Sequence, residues 1–129
     1  MIVVDTNVLS YLLIPGDRSE AMDRLLVKEP DWVAPRLWLD EFLNVLATYE
    51  RRGTLSSQDV SSLLHDALEL MHDRSYEVPP ERVLAVARRT GCSAYDSQYL
   101  ALAEDLGVKL YTCDRGVLEK SAGLAIEPK

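Results

Sequence analysis

Cysteine is scarce in this chain of 129 residues, and its positions exclude several classes of site. Cys92 and Cys113 lie far apart and form no CxxC pair. A disulfide scaffold is therefore not expected, and a zinc site lacks ligands. The N-terminus has no basic region followed by an apolar stretch, so no signal peptide is predicted. Together with reduced thiols, this predicts a cytoplasmic protein.

Two common catalytic motifs are also missing, as is an excess of positive charge. The six glycines are isolated, so no glycine-rich phosphate loop is present, and no nucleophilic serine elbow is found. No apolar run is long enough to span a membrane. The net charge of −7 argues against a protein that coats nucleic acid. It does not argue against a nuclease, because bound divalent ions would offset the charge of acidic ligands.

The apolar segments present predict an α/β domain that comprises residues 1–129. Short β-branched runs such as Ile2–Val4 alternate with amphipathic helical segments, which predicts a parallel sheet with helices on both faces. Serine and glycine mark several helix ends, and residues 17–20 match a capping box. Short strands are expected over residues 32–34, 76–78, 109–113 and 125–127.

Four acidic residues stand at the ends of these apolar segments. Asp5 follows the first strand and Asp114 follows the predicted strand VKLYTC. Glu41 lies early in a long helix, and Asp96 lies in the first turn of another. Ligands of parallel sheets collect at the carboxyl ends of the strands, where Asp5 and Asp114 are expected. Each Asp could instead serve as a helix cap, and for Asp96 alone the capping box with Ser93 is the slightly favoured interpretation.

The neighbouring acids Asp40 and Glu41 are expected to face opposite ways. Asp40 is in line with Asn44 and other polar positions of the helix, whereas Glu41 borders the apolar stripe that contains Trp38 and Val45. A carboxylate on that stripe is costly to desolvate unless something binds it. The alternative is that Glu41 reaches solvent or pairs with an arginine.

A carboxylate cluster without a cationic partner predicts a divalent metal. Carboxylates brought close together repel one another, and hard oxygen ligands select Mg²⁺ or Mn²⁺. Such a site is typical of phosphoryl or phosphodiester chemistry. Asn7 is a candidate neutral ligand or water-binding residue, and Thr112 is either packing or a hydroxyl that supports a ligand.

The segments VDTNVLSYLL, LWLDEFLNVL and SAYDSQYLALAEDLGVKLYTCD, in this order, resemble the PIN domain family, and within it the VapC-type toxins of toxin–antitoxin pairs. The resemblance covers essentially the whole chain. It implies a Rossmann-like α/β/α sandwich and an endoribonuclease that depends on Mg²⁺ or Mn²⁺. The acidic quartet of the family corresponds to Asp5, Glu41, Asp96 and Asp114, with Asn7 and Thr112 as polar neighbours. The family also implies homodimers and a cognate antitoxin that fills the groove, often with an arginine.

Two other functions remain open at this point. A phosphatase of the haloacid dehalogenase type would use an Asp after the first strand, but it requires a second Asp where Asn7 stands. A non-catalytic binding or regulatory domain could also have an acidic pocket. Assays with a chromogenic phosphate ester and with RNA distinguish these alternatives.

Overall fold

The computed structural model describes residues 1–129 and contains one five-stranded sheet. The strand order is β3-β2-β1-β4-β5, and every neighbouring pair is parallel. The strands are β1 (Ile2–Val4), β2 (Trp32–Pro35), β3 (Ser75–Tyr76), β4 (Leu110–Tyr111) and β5 (Ala125–Ile126). The expected α/β fold with a central parallel sheet is therefore confirmed.

Seven helices connect the strands. They are α1 (Thr6–Leu13), α2 (Ser19–Lys28), α3 (Leu37–Arg51), α4 (Ser57–Leu70), α5 (Pro80–Thr90), α6 (Ala94–Leu106) and α7 (Arg115–Lys120). Local chemistry explains several of their ends. Ser56 and Asp59 form a reciprocal capping box at the start of α4. Gly107 ends α6 in the left-handed conformation, with φ of 69°, which glycine adopts without a steric penalty.

The core lies on both faces of the sheet. All three residues of β1 are buried, as expected for a central strand covered by helices on each side. Trp32 of β2 and Phe42 of α3 are the largest fully buried side chains. Burial of a side chain such as Phe42 contributes about 1.5–3 kcal/mol to folding. None of the helices has both the length and the apolar character that a membrane span requires.

The predicted capping box at residues 17–20 is wrong. Helix α2 begins at Ser19, and its preceding residue Arg18 makes no side-chain cap. The Ser19 hydroxyl instead donates to the Tyr11 carbonyl and accepts from the Gly16 amide, which joins the end of α1 to the start of α2. The third, fourth and fifth strands are also shorter than expected, β2 extends one residue further, and β3 begins one residue earlier.

The strand order places a crevice beside β1. Strands β2 and β3 follow on one edge of β1, and the chain then crosses over to β4 and β5 on the opposite edge of β1. Open parallel sheets bind ligands at such a reversal, outside the carboxyl ends of the strands. The segments that follow β1 and β4 therefore line the expected position of a site.

Candidate functional site

The ends of β1 and β4 bring Asp5 beside Thr112. Val4 is in register with Tyr111, and the Asp5 amide donates to the Tyr111 carbonyl at 3.2 Å. The Thr112 hydroxyl donates to Oδ2 of Asp5, and its oxygen accepts from the Asp114 amide at 3.0 Å. Thr112 is fully buried. Its hydroxyl therefore connects the two acidic segments that leave the sheet.

Asp5 and Asp114 are also helix caps. Oδ1 of Asp5 accepts from the Val8 amide at 3.0 Å, and Oδ1 of Asp114 accepts from the Val117 amide at 3.0 Å. The cap and the site are not exclusive interpretations, because a carboxylate has two oxygens and several lone pairs. The caps orient both carboxylates at the N-termini of α1 and α7.

Glu41 lies on the inner side of α3, whereas the adjacent Asp40 is exposed. Its Oε1 accepts from the Thr6 hydroxyl at 2.9 Å and from the Tyr99 hydroxyl at 2.5 Å. The Thr6 and Tyr99 hydroxyls are themselves 2.8 Å apart. Hydroxyls of α1 and α6 thus hold the carboxylate that α3 provides.

Asp96 enters the site from the first turn of α6. The Ser93 hydroxyl accepts from the Asp96 amide at 3.1 Å, which caps the helix. The reciprocal bond of a capping box, from the Ser93 amide to the Asp96 carboxylate, is absent. The carboxylate of Asp96 lines the pocket, and a hydrogen bond with the Ser93 side chain lowers its pKa in part.

One pocket of about 230 Å³ gathers the predicted residues. Its lining contains no lysine or arginine and consists of Asp5, Thr6, Asn7, Glu41, Asn44, Val45, Asp96, Tyr99 and Asp114. Thr112 lies behind this lining and touches Asp5. Sequence reasoning missed Thr6, Asn44 and Tyr99. For two of them the spacing contained a signal, because residues three apart on a helix lie near one another: Asn44 follows Glu41, and Tyr99 follows Asp96, by three. Asn44 was expected on the polar face with Asp40, and the structure places it in the pocket lining with Glu41.

The pocket disfavours negative charge in the absence of a cation. Burial raises the pKa of Asp5 from 3.8 to about 6, and the charges of Glu41 and Asp114 act in the same direction. The hydrogen bonds from Thr112 and Val8 lower it in part. Burial and the charge of Asp114 also raise the pKa of Asp96. Burial, with the hydrogen bond to Glu41, raises the pKa of Tyr99, which therefore remains a hydroxyl donor.

The donor set fits a hard divalent cation, because every charged group of the pocket is a carboxylate. No three Asp, Glu, His or Cys side chains in the chain approach closely enough to form a complete metal-ligand set. The carboxylates surround the pocket rather than touch one another. Mg²⁺ commonly uses one or two protein carboxylates and keeps several waters, so this spacing is compatible with it.

Known proteins share both the sequence pattern and the fold. The PIN domain family matches residues 2–123. Ribonuclease VapC3 of Pyrobaculum aerophilum is 32% identical over 126 residues, which cover 95% of this chain and 96% of the relative. The crystal structure of PAE2754 from the same organism has a TM-score of 0.77 at 28% identity and covers 98% of this chain and 89% of that one.

A more distant structure agrees at the level of the fold. FitAcB from Neisseria gonorrhoeae has a TM-score of 0.70 at 22% identity, and the alignment covers 99% of this chain and 98% of that one. The family match extends over nearly the whole chain and includes all four carboxylates of the pocket. The chain therefore belongs to the PIN domain family.

Proposed function

We propose that this chain is an endoribonuclease that requires Mg²⁺ or Mn²⁺ and serves as the toxin of a toxin–antitoxin pair. The observation that carries the proposal is the pocket, which four carboxylates from four separate segments line together without a lysine or arginine. Such a site binds cations, and a cation site of this kind suits phosphodiester hydrolysis. The ribonuclease relative at 32% identity supports RNA as the substrate.

Asp5, Glu41, Asp96 and Asp114 are the proposed metal ligands and catalytic residues. When bound, the ion supplies a water nucleophile at neutral pH and offsets the charge of the scissile phosphate. Thr112 holds Asp5 in place, and the exposed Asn7 on the pocket wall is positioned to hydrogen-bond water or substrate. Because water attacks, and not a ribose 2′-hydroxyl, the products carry a 5′-phosphate and a 3′-hydroxyl.

The proposed partners follow from the same pocket and from the resemblance to VapC-type toxins. A cognate antitoxin would place an arginine among the carboxylates, where a charge-assisted hydrogen bond replaces the cation. The active form is proposed to be a homodimer, and its compartment the cytoplasm, where cellular RNA is available. Size measurement in solution tests the homodimer, and co-expression with a candidate antitoxin tests the partner.

The chain offers a matched pair of variants for the test of activity. Glu41→Gln neutralises the carboxylate that lines the pocket, whereas Asp40→Asn neutralises the exposed acid beside it on the same helix. Both proteins, Asp96→Asn and the unaltered chain are incubated with total cellular RNA and with Mg²⁺, Mn²⁺ or chelator. New 5′ ends are then mapped by sequencing.

We expect metal-dependent cuts from the unaltered chain and from Asp40→Asn, and none from Glu41→Gln or Asp96→Asn. Cleavage by Glu41→Gln at the rate of the unaltered chain contradicts the site assignment. If the antitoxin is removed and the chain binds metal but cuts no RNA, the non-catalytic binding domain becomes the better description. Hydrolysis of a chromogenic phosphate ester, without RNA cleavage, favours the phosphatase instead.

A further inference from the structure

The contacts of Glu41 are unequal at its two carboxylate oxygens. Oε1 accepts from the hydroxyls of both Thr6 and Tyr99, at 2.9 and 2.5 Å. Oε2 has no hydrogen-bond partner in the protein, and the side chain lines the pocket. One oxygen is therefore occupied by the protein, and the other is available to a ligand of the pocket.

The two hydroxyls that occupy Oε1 are held firmly. The exposed fractions of Thr6 and Tyr99 are 6% and 3%, so packing restricts both side chains although both residues contribute to the pocket lining. The two hydroxyl oxygens are also 2.8 Å apart, so each restricts the position of the other. Rotation of Glu41 to present both oxygens to the pocket would leave at least one of these hydroxyls without its acceptor, since only one of the pair can donate to the other, and this loss is unfavourable.

This arrangement affects which cations the pocket accepts. Mg²⁺ requires near-octahedral coordination and is usually bound by one or two protein carboxylates and several waters. Ca²⁺ takes six to eight oxygens and often binds both oxygens of one carboxylate. A glutamate that offers a single oxygen suits the smaller ion. A glutamate free to rotate would add the second oxygen that the larger ion uses.

We propose that Tyr99 and Thr6 are positioning residues that restrict Glu41 to one available oxygen, Oε2, and thereby make the pocket discriminate against Ca²⁺. The inference rests on the proposed function, because it assigns a metal to the same site. It gives the Thr6 and Tyr99 hydroxyls a role in metal selectivity, whereas the acidic pattern of the sequence points only to the carboxylates.

The test measures metal binding and needs no RNA. Mn²⁺ binding to the purified chain is followed by its paramagnetic resonance spectrum, and Ca²⁺ and Mg²⁺ are measured by competition. Tyr99→Phe removes one hydroxyl from Oε1. Tyr95→Phe removes an identical hydroxyl from the same helix at a residue that is 64% exposed and outside the pocket lining, and it is the matched control.

In Tyr99→Phe we expect the preference for Mn²⁺ over Ca²⁺ to fall by about tenfold, in line with the loss of one hydrogen bond to a charged group. Thr6→Val should change the preference in the same direction, and Thr6→Ser, which keeps a hydroxyl, should restore it. Tyr95→Phe should match the unaltered chain.

Other outcomes overturn the inference and separate it from the proposed function. If Tyr99→Phe weakens the binding of Mn²⁺, Mg²⁺ and Ca²⁺ equally, Tyr99 only supports the fold and the proposed role in selectivity is wrong. If selectivity is unchanged while RNA cleavage persists, the proposed function stands without this role. If the unaltered chain binds no divalent ion, both fail. Where Tyr99→Phe does not fold, Thr6→Val decides by the same criterion.

Discussion

Replacement of Asp5 by Asn removes the charge that the metal-free pocket disfavours most clearly. The pKa of Asp5 is raised from 3.8 to about 6, mainly by burial. Each pKa unit corresponds to about 1.4 kcal/mol, so ionisation of Asp5 in the folded chain costs about 3 kcal/mol relative to the unfolded chain. Asn keeps an oxygen that can cap the Val8 amide.

The pH dependence has a definite sign. Between pH 3.8 and about 6 the folded chain holds a proton on Asp5 that the unfolded chain has released. The free energy of unfolding therefore decreases as the pH rises through this window. For one carboxyl group with a pKa of 3.8 in the unfolded chain and about 6 in the folded chain, the free energy of unfolding decreases by about 2 kcal/mol between pH 4.5 and 7.5. Asp5→Asn lacks this contribution.

Urea unfolding in chelator, at half-unit steps from pH 4.5 to 7.5, measures the difference between the two proteins. Relative to the unaltered chain, Asp5→Asn should gain about 2 kcal/mol of unfolding free energy from the lowest to the highest pH. Rearrangement at Thr112, which donates to Oδ2, adds an offset that does not vary with pH. A difference that stays constant over the whole range would refute the raised pKa, whatever the size of the offset.

Three further predictions concern the same structure. Thr112→Val should lower the free energy of unfolding by about 1–3 kcal/mol and reduce RNA cleavage, and Thr112→Ser should restore both, because the buried hydroxyl serves Asp5 and the Asp114 amide. Mg²⁺ at a hundred times its dissociation constant should stabilise the unaltered chain by about 2.7 kcal/mol in thermal unfolding, and Asp5→Asn by much less. Phe42→Ala should cost about 3–5 kcal/mol in urea unfolding, because Phe42 is fully buried.

Most helix boundaries were predictable because local interactions determine them. Helix α6 has the expected bounds, since Ser93 caps its start and Gly107 provides the left-handed residue after its end. The start of α2 was not predictable in this way. There the Ser19 hydroxyl bonds to the end of α1, and this contact between two elements replaced the local capping box.

The contents of the pocket were predictable where a residue follows a strand and less so where it lies on a helix. Asp5 and Asp114 follow neighbouring parallel strands, and the geometry of a parallel sheet brings such ends together. Tyr99 carried only a weaker signal: it follows Asp96 by three residues, but an aromatic residue within an apolar helix predicts core packing. Its hydroxyl reaches Glu41 only because the tertiary structure places residues of α3 and α6 in the same pocket.

The sequence by itself determined the class of fold, the parallel sheet and the acidic character of the site, because hydrophobic periodicity and helix caps are local properties of the chain. Only the tertiary structure decided which oxygens are occupied and which remain available. Oδ2 of Asp5 receives the Thr112 hydroxyl, whereas Oε2 of Glu41 receives no protein donor. Such differences arise from contacts between residues 107 or 58 positions apart, and no local pattern contains them.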